Sequence, residues 1–500
     1  MREGHDGSKR VTRMKLPRHA TYFLIFLGLI TLFQVALGSD LIVLAALVAV
    51  SASGLYPMTR KTFDPADLLM LSFSFYYGTF SLILKSIVLQ PVQMNLQVPY
   101  LTAFYLVSGY GLIFISYLFV TRVMTKYYRG TRLRSWTLFE RVYADESFLA
   151  RYTLPLSIVS LVLITVVSFF SHSAQEVALN LASNSGIAAL GALNPIIQLS
   201  LAMQLSLVAR RGRQSDVALV IVTFAVAFAL SILNNQKQLA FLVIVTGAVH
   251  IVAYRIRIKP QFLISGLLFL VVAFLYIAPL IQIVRSMNVE KSARVGVTLD
   301  LLQEANFNPI ELLEIQSKLP SAIDNSSLAK RLDYLAPNFL NTDRFTQIMP
   351  IDQTARASFR APLGINDYLA DLVFETLPKV IVGEHTLEVL DDKIAWRFSI
   401  REDGVISRPV LGLLGTGYGV AGAFGVLVLA PLTTLIFFAF MRLWCNGSIW
   451  NNPWAVFIAS STFFYGETDL TLLVAIFRAV MPMLVIAWTL IALHRVFKKA

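Results

Sequence analysis

The chain has 500 residues, 56% of them hydrophobic and only 14% charged, with a formal net charge of +12 and a mean hydropathy of +0.66. Soluble globular proteins carry about 25% charged residues, so this composition excludes an ordinary cytosolic enzyme. The charge is also divided: residues 285–408 hold 14 Lys/Arg and 18 Asp/Glu, a net of −4, while the remainder carries +16. An apolar, basic body with one acidic insert describes an all-α polytopic membrane protein with a single large extramembrane loop.

An apolar stretch of about 20 residues crosses a bilayer as a helix. Twelve such stretches are read at roughly 20–38, 41–58, 67–89, 98–120, 153–171, 186–208, 217–233, 239–254, 262–284, 411–440, 454–465 and 470–492. The first has the small-residue spacing of a cleavage site at Ala36-Leu37-Gly38, but its long apolar core and the span that follows make it an uncleaved anchor. The connections assigned inside carry 25 Lys/Arg, whereas the short outer ones carry one, Lys237. Positive charge on the cytoplasmic side then puts both termini inside and the acidic loop outside, and removes any need for a nucleic-acid partner. The organisation expected is helices 1–9 over residues 1–284, a partly helical extracytoplasmic loop over 285–408, and helices 10–12 over 409–500. Within the loop, 298–317 and 365–377 have apolar residues at helical spacing, as helices that lie on the outer membrane face or cap a cavity.

A lone cysteine, Cys445, excludes an internal disulfide, and no metal-binding or nucleotide-binding motif occurs, so neither metal nor cofactor is expected. Charged groups within apolar spans are costly and often functional. Lys85 lies near the outer end of its span, where its ammonium can snorkel to the interface. Arg478 sits deeper, either paired with Glu467 or Asp469 or reaching an anion in an outward cavity. Lys237 lies in a polar turn before an inward-running helix, either a simple connection or a phosphate site built with the helix amides. GLLGTGYGVAGAFG at 412–425 holds two small-residue stripes, Gly415/Gly419 and Gly417/Ala421/Gly425. Close helix packing explains them, and the start of this helix is a second place where an anion can approach.

Among the nine loop arginines, Arg285 and Arg408 bracket the loop at its membrane entry points, and Arg356 and Arg360 stand four apart. Guanidinium groups grip diphosphate bidentately. Asp367, Asp371 and Glu375 share one helix face, as a solvated surface or as the base that activates a hydroxyl. His385 is the only histidine of the loop.

The twelve spans, the large late loop, RPVLGLLGTGYGVAGAFGVLVL at 408–429 with Tyr418 and Phe424-Gly425, the Lys237 turn and GETDL at 466–470 together resemble the Wzy-type O-antigen (polysaccharide repeat-unit) polymerases. Arg401 to Gly412 and Arg408 to Gly419 match an arginine–glycine spacing associated with that family. The resemblance implies a GT-C-like, metal-independent glycosyltransferase of the bacterial cytoplasmic (inner) membrane. It would polymerise undecaprenyl-diphosphate-linked oligosaccharide units into surface polysaccharide, with a lipid-linked donor and acceptor, membrane lipids, and a chain-length regulator and flippase as partners. Diphosphate contacts are then expected from Arg285, Arg356, Arg360, Arg408, Lys237, Arg478 and Tyr418, and proton transfer from Asp367, Asp371 or His385. Rival readings are an O-antigen ligase and a polyprenyl-phosphate-sugar transferase. An O-antigen ligase usually has a histidine and a glycine separated by ten residues, yet Trp396 stands at that spacing from His385. The non-enzyme alternative is a flippase or transporter, for which internal repeats are expected and none is seen.

Overall fold

The computed structural model describes residues 18–124, 136–170, 193, 195–233, 238–254, 293–318, 334–335, 345–377, 389–401, 410–445, 448–477 and 481–499, with isolated residues between 256 and 287. Every regular element among them is helical. In chain order these are α1 (Arg18–Ala36), α2 (Leu41–Ser53), α3 (Pro65–Ile87, with a π turn at Phe75–Thr79), α4 (Pro99–Met124), α5 (Trp136–Ala144), α6 (Glu146–Phe170), α7 (Ile196–Arg211), α8 (Gln214–Leu233) and α9 (Gln238–Ala253). The acidic insert contributes α10 (Arg294–Glu304), α11 (Pro309–Lys318), α12 (Ile348–Arg356), α13 (Ile365–Thr376) and α14 (Leu390–Arg397). The chain continues through α15 (Gly412–Phe424), a π turn (Gly425–Leu429), α16 (Ala430–Trp444), α17 (Pro453–Phe463), α18 (Leu472–Ala475) and α19 (Met481–Lys499).

Seven of the described helices are long and apolar enough to cross a membrane: α1, α2 with its continuation to Thr59, α3, α4, α6, α8 and the run Gly412–Trp444. The chain is therefore an all-helical protein of membrane character. The predicted spans 239–254 and 454–465 are helical but shorter, 470–492 is divided between α18 and α19, and most of 262–284 lies outside the described residues. Of the predicted 186–208, α7 begins only at Ile196 and is less apolar than the spanning helices.

The predicted span 411–440 is not one straight helix. Ala421 (φ −144°, ψ 22°) and Gly422 (φ 60°, ψ −139°) leave helical geometry, and a residue with a Cβ rarely adopts the second conformation. The two arms then fold against each other. A methyl group on Gly425 would sit 1.6 Å from the carbonyl oxygen of Gly417. Eight residues of uninterrupted helix would separate those backbones by about 12 Å, so the chain reverses between them. The arm after the reversal, five residues of π turn and fifteen of α16, is long enough at about 30 Å to cross a bilayer by itself. The first arm of α15 is accordingly a half-helix returning to the reversal. Gly109 of α4 packs into the same seam, against Leu414 and Val426.

The insert is fastened to this bundle at the connection between α3 and α4. Lys85 is fully buried rather than snorkelling to water. Its ammonium donates to Gln90 Oε1 at 3.0 Å, to the Met94 carbonyl at 2.8 Å and to the Tyr334 carbonyl of the insert at 2.5 Å, with its Nζ 4.2 Å from the centre of the Tyr334 ring. Asp352 of α12 is also fully buried. It accepts the amides of Gln97 and Val98 at 2.8 and 2.9 Å and the Thr102 hydroxyl at 2.9 Å, tying the residues that lead into α4, and its first turn, to a distant part of the chain. The end of the bundle that meets the insert is called the loop face below.

Two outcomes follow from this packing. Gly425→Ala has no room for its methyl group and should abolish recovery of monodisperse protein, while Gly111→Ala, where nothing lies within 4 Å, should melt at or slightly above the native temperature. Asp352→Ala should lower stability by about 1–3 kcal/mol through unsatisfied buried amides, read as a fall in Tm in detergent, with Asp352→Asn less affected.

Candidate functional site

At the loop face, the insert packs onto the glycine hairpin, and the glycines mark where it does so. The amide of Gln347, preceding α12, donates to the Tyr76 carbonyl of α3 at 3.1 Å, which carries α12 into the bundle. Pro350 lies against Gly415, where an added methyl group would come within 3.0 Å, and Ile394 of α14 lies against Gly419 at 2.4 Å on the same measure. Between these contacts the amides of Leu363 and Gly364 donate to the carbonyls of Gly419 and Val420 at 2.9 and 3.0 Å. The Gly415/Gly419 stripe thus admits α12 and α14, whereas Gly417 and Gly425 admit the other arm of the hairpin.

The sequence leaves close packing and an approaching anion both open at the start of α15. In the structure that start is capped by the protein. Asp391 Oδ2 accepts the Leu411 amide at 3.3 Å, Asp391 Oδ1 accepts the Thr416 hydroxyl at 3.0 Å, and the Tyr77 hydroxyl accepts the Leu414 amide at 3.3 Å. The Asp391 carboxyl is hydrogen-bonded to that of Asp469, which in turn accepts the amide of Thr471 at 2.7 Å and its hydroxyl. Two carboxyl groups can share a hydrogen bond only if one is protonated. Burial pushes Asp391 well above the ordinary carboxyl range, and the adjacent Asp469 charge pushes it further. Burial also raises Asp469. The two carboxyl groups therefore share a proton, joining the insert to the turn after α17.

Helix α14 is also where three of the predicted site residues meet. Its Lys393 pairs with Asp371 of α13 at 2.6 Å. The Arg397 carbonyl accepts from Arg360 Nη1 at 2.6 Å, and Arg397 Nε donates to the Ala361 carbonyl at 3.0 Å. The Phe398 ring, one residue further, faces Tyr418 with centroids 6.5 Å apart, and Tyr418 meets Tyr105 edge-on at 5.2 Å. Arg360 is half-buried and Arg397 exposed, and among the described residues no carboxylate lies within 4 Å of either. The result is a pair of guanidinium groups beside a three-ring aromatic layer, next to the hairpin reversal.

The remaining predictions are placed separately. Arg356 ends α12, close enough to Asp352 for its charge to be felt there. Asp367 is exposed on α13. Lys237, Arg285, His385, Arg408 and Arg478 lie outside the described residues. Sequence reasoning singled out neither Asp391 nor Arg397 as a site residue, and considered Asp469 only as a partner for Arg478. The signal available was the pair Asp391-Asp392 opening a segment with Ile394, Ala395 and Trp396, an acidic doublet beside apolar residues.

No protein-family model matches the chain, no curated protein matches it, and no solved structure matches it. The fold thus defines a class, an all-helical protein of membrane character, and the cations and rings at the loop face are its candidate site.

The carboxyl pair makes stability depend on pH. A carboxyl group whose folded-state pKa is raised stabilises the fold fully below its unfolded value, near the ordinary 3.8, and that stabilisation is lost as pH rises through the folded value. Asp391→Asn keeps a donor to Asp469 and an acceptor for Leu411 or Thr416 without the proton. Its Tm should fall less between pH 5 and pH 9 than that of the native chain, by near-UV circular dichroism in detergent. Asp391→Ala should be less stable than native in acid.

Proposed function

We propose that this chain is an integral-membrane glycosyltransferase that polymerises undecaprenyl-diphosphate-linked oligosaccharide repeat units at the outer face of the bacterial cytoplasmic membrane. The observation that carries this reading is the gathering of Arg360, Arg397 and the Tyr105–Tyr418–Phe398 rings at the place where the bundle meets the insert. Guanidinium groups without carboxylate partners suit a diphosphate, which they bind in bidentate fashion. The Tyr418 and Phe398 rings are buried, so they back the guanidinium pair with an apolar wall rather than a free stacking face.

In this reaction the bond between the donor sugar's anomeric carbon and its diphosphate breaks. A bond forms from that carbon to a hydroxyl oxygen of the acceptor unit, and the hydroxyl proton passes to a base. Negative charge grows on the leaving diphosphate, so fixed cations there stabilise the transition state more than the ground state. Arg360 and Arg397 are the described residues suited to that role, and Arg285 and Arg408 at the ends of the insert are proposed to join them. Asp367, exposed on α13, and His385 are the base candidates; Asp371 is already engaged by Lys393.

Deleting the gene in its host should leave single repeat units on the surface glycan while longer chains vanish. Unchanged chain lengths, or loss of all surface glycan including single units, would count against polymerisation. Arg360→Ala together with Arg397→Ala should reduce polymer formation roughly ten- to hundredfold at unchanged protein level, the scale of losing charge-assisted hydrogen bonds to the leaving group. Full polymer in that double variant would remove the assigned site.

A further inference from the structure

We infer that α13 (Ile365–Thr376) is an interfacial helix whose apolar arc is seated in the lipid of the loop-side leaflet. The helix presents three different surfaces around its circumference. Tyr368 and Leu372 face the bundle: Tyr368 is buried and donates its hydroxyl to the Leu470 carbonyl at 3.1 Å, and Leu372 packs on the main core. Asp367, Asp371 and Glu375, four residues apart each, form a second, acidic surface, with Asp371 held by Lys393. The third carries Ile365, Leu369, Val373 and Phe374, all exposed, with Leu369 at 48% and Val373 at 54%. Phe359, just ahead of the helix, is 83% exposed. At 100° per residue, Ile365, Leu369 and Val373 fall together beside the bundle-facing surface, while Phe374 lies at the edge of the acidic surface with the exposed Asn366 between. Bundle on one side, water on another and lipid on the third is the environment that such a division fits.

The height of the helix is fixed independently of its composition. The amides of Leu363 and Gly364 are bonded to Gly419 and Val420, directly before the hairpin reversal at Ala421-Gly422. Beyond that reversal begins the arm that is long enough to span the bilayer, and its first turns expose Phe424, Val428 and Leu432. The arc of α13 is thus level with the loop-side end of a lipid-facing helix and continues its apolar surface. Arg360 and Arg397 stand at the same level, where cationic side chains meet phosphate headgroups. A patch of this kind in water would be an aggregation hazard; a leaflet covers it.

Site-directed spin labelling of the full chain in phosphatidylethanolamine/phosphatidylglycerol vesicles tests this. Single cysteines at Leu369, Val373 and Asp367 are introduced with Cys445→Ala, and Ile221, an exposed apolar residue of α8, is the lipid reference. Labels at Leu369 and Val373 should collide with oxygen in preference to a water-soluble nickel chelate, as at Ile221, while the label at Asp367 should reverse that preference. Chelate-accessible labels at both Leu369 and Val373 would overturn the inference. Protection from both colliders with spin–spin broadening would overturn it too, because a second copy of the chain would then cover the arc. Each single-cysteine protein must also show the near-UV circular dichroism and melting temperature of the Cys445→Ala parent, so neither result can be blamed on misfolding.

Discussion

The contact between the backbones of Gly417 and Gly425 is the constraint on which the loop face depends. Dispersion attraction is gained only at short range, and two helical arms joined by two residues of non-helical backbone have little freedom to separate. Side chains at those positions would wedge the arms apart. The reversal fixes where Gly415 and Gly419 point, and these admit Pro350 and Ile394, so the insert is positioned by the same missing side chains. Glycine here has a cost in unfolded-state entropy. The close approach it permits offsets that cost by bringing α12, α14 and the second arm together around one half-helix.

Polar groups complete what the glycines begin. Lys85, Asp352 and Asp391 are each buried and each bonded to a partner far away in the chain. Such bonds add little net stability in water, but an unmade one in an apolar setting costs about 1–3 kcal/mol or more. They therefore act by excluding alternatives: an insert shifted along the bundle leaves an ammonium, a carboxylate and several helix-end amides without partners at once. The insert behaves as part of the bundle because its misplacement is expensive, not because its attachment is strong.

Much of this was legible from residue spacing. The membrane character followed from apolar runs of bilayer length, and α13 from leucine and valine at helical intervals, because both depend on patterns local in sequence. The hairpin was not legible. A run from 411 to 440 reads as one span under any hydropathy window, and the break needs only Ala421 and Gly422, neither of which interrupts apolarity. The same limit concealed Asp391. Its meaning lies in Asp469 and the start of α15, and no short-range pattern announces a partner 78 positions away. Lys85 was expected at the interface because an isolated lysine in a span has nowhere better to go, whereas Tyr334 supplies a carbonyl and a ring.

Cations at the two ends of the bundle differ in what holds them, and that difference separates structure from function. Arg60 pairs with Asp64 and Asp67, Arg442 pairs with Asp64 at 3.1 Å, and the Tyr117 hydroxyl donates to Asp67. That cluster balances its own charge, so it fastens helices and has no field left for a ligand. At the loop face the arrangement is inverted. The acids Asp391, Asp469 and Asp352 are consumed in bonds to backbone amides and neighbouring hydroxyls, and Asp371 in pairing with Lys393, while among the described residues Arg360 and Arg397 bond to backbone carbonyls. Among the described residues, a net acidic insert thus places unpaired cations at Arg360 and Arg397 while Asp367 keeps an exposed acid on α13. Net charge locates the insert, but the partners of each group decide whether its charge is available to an anion.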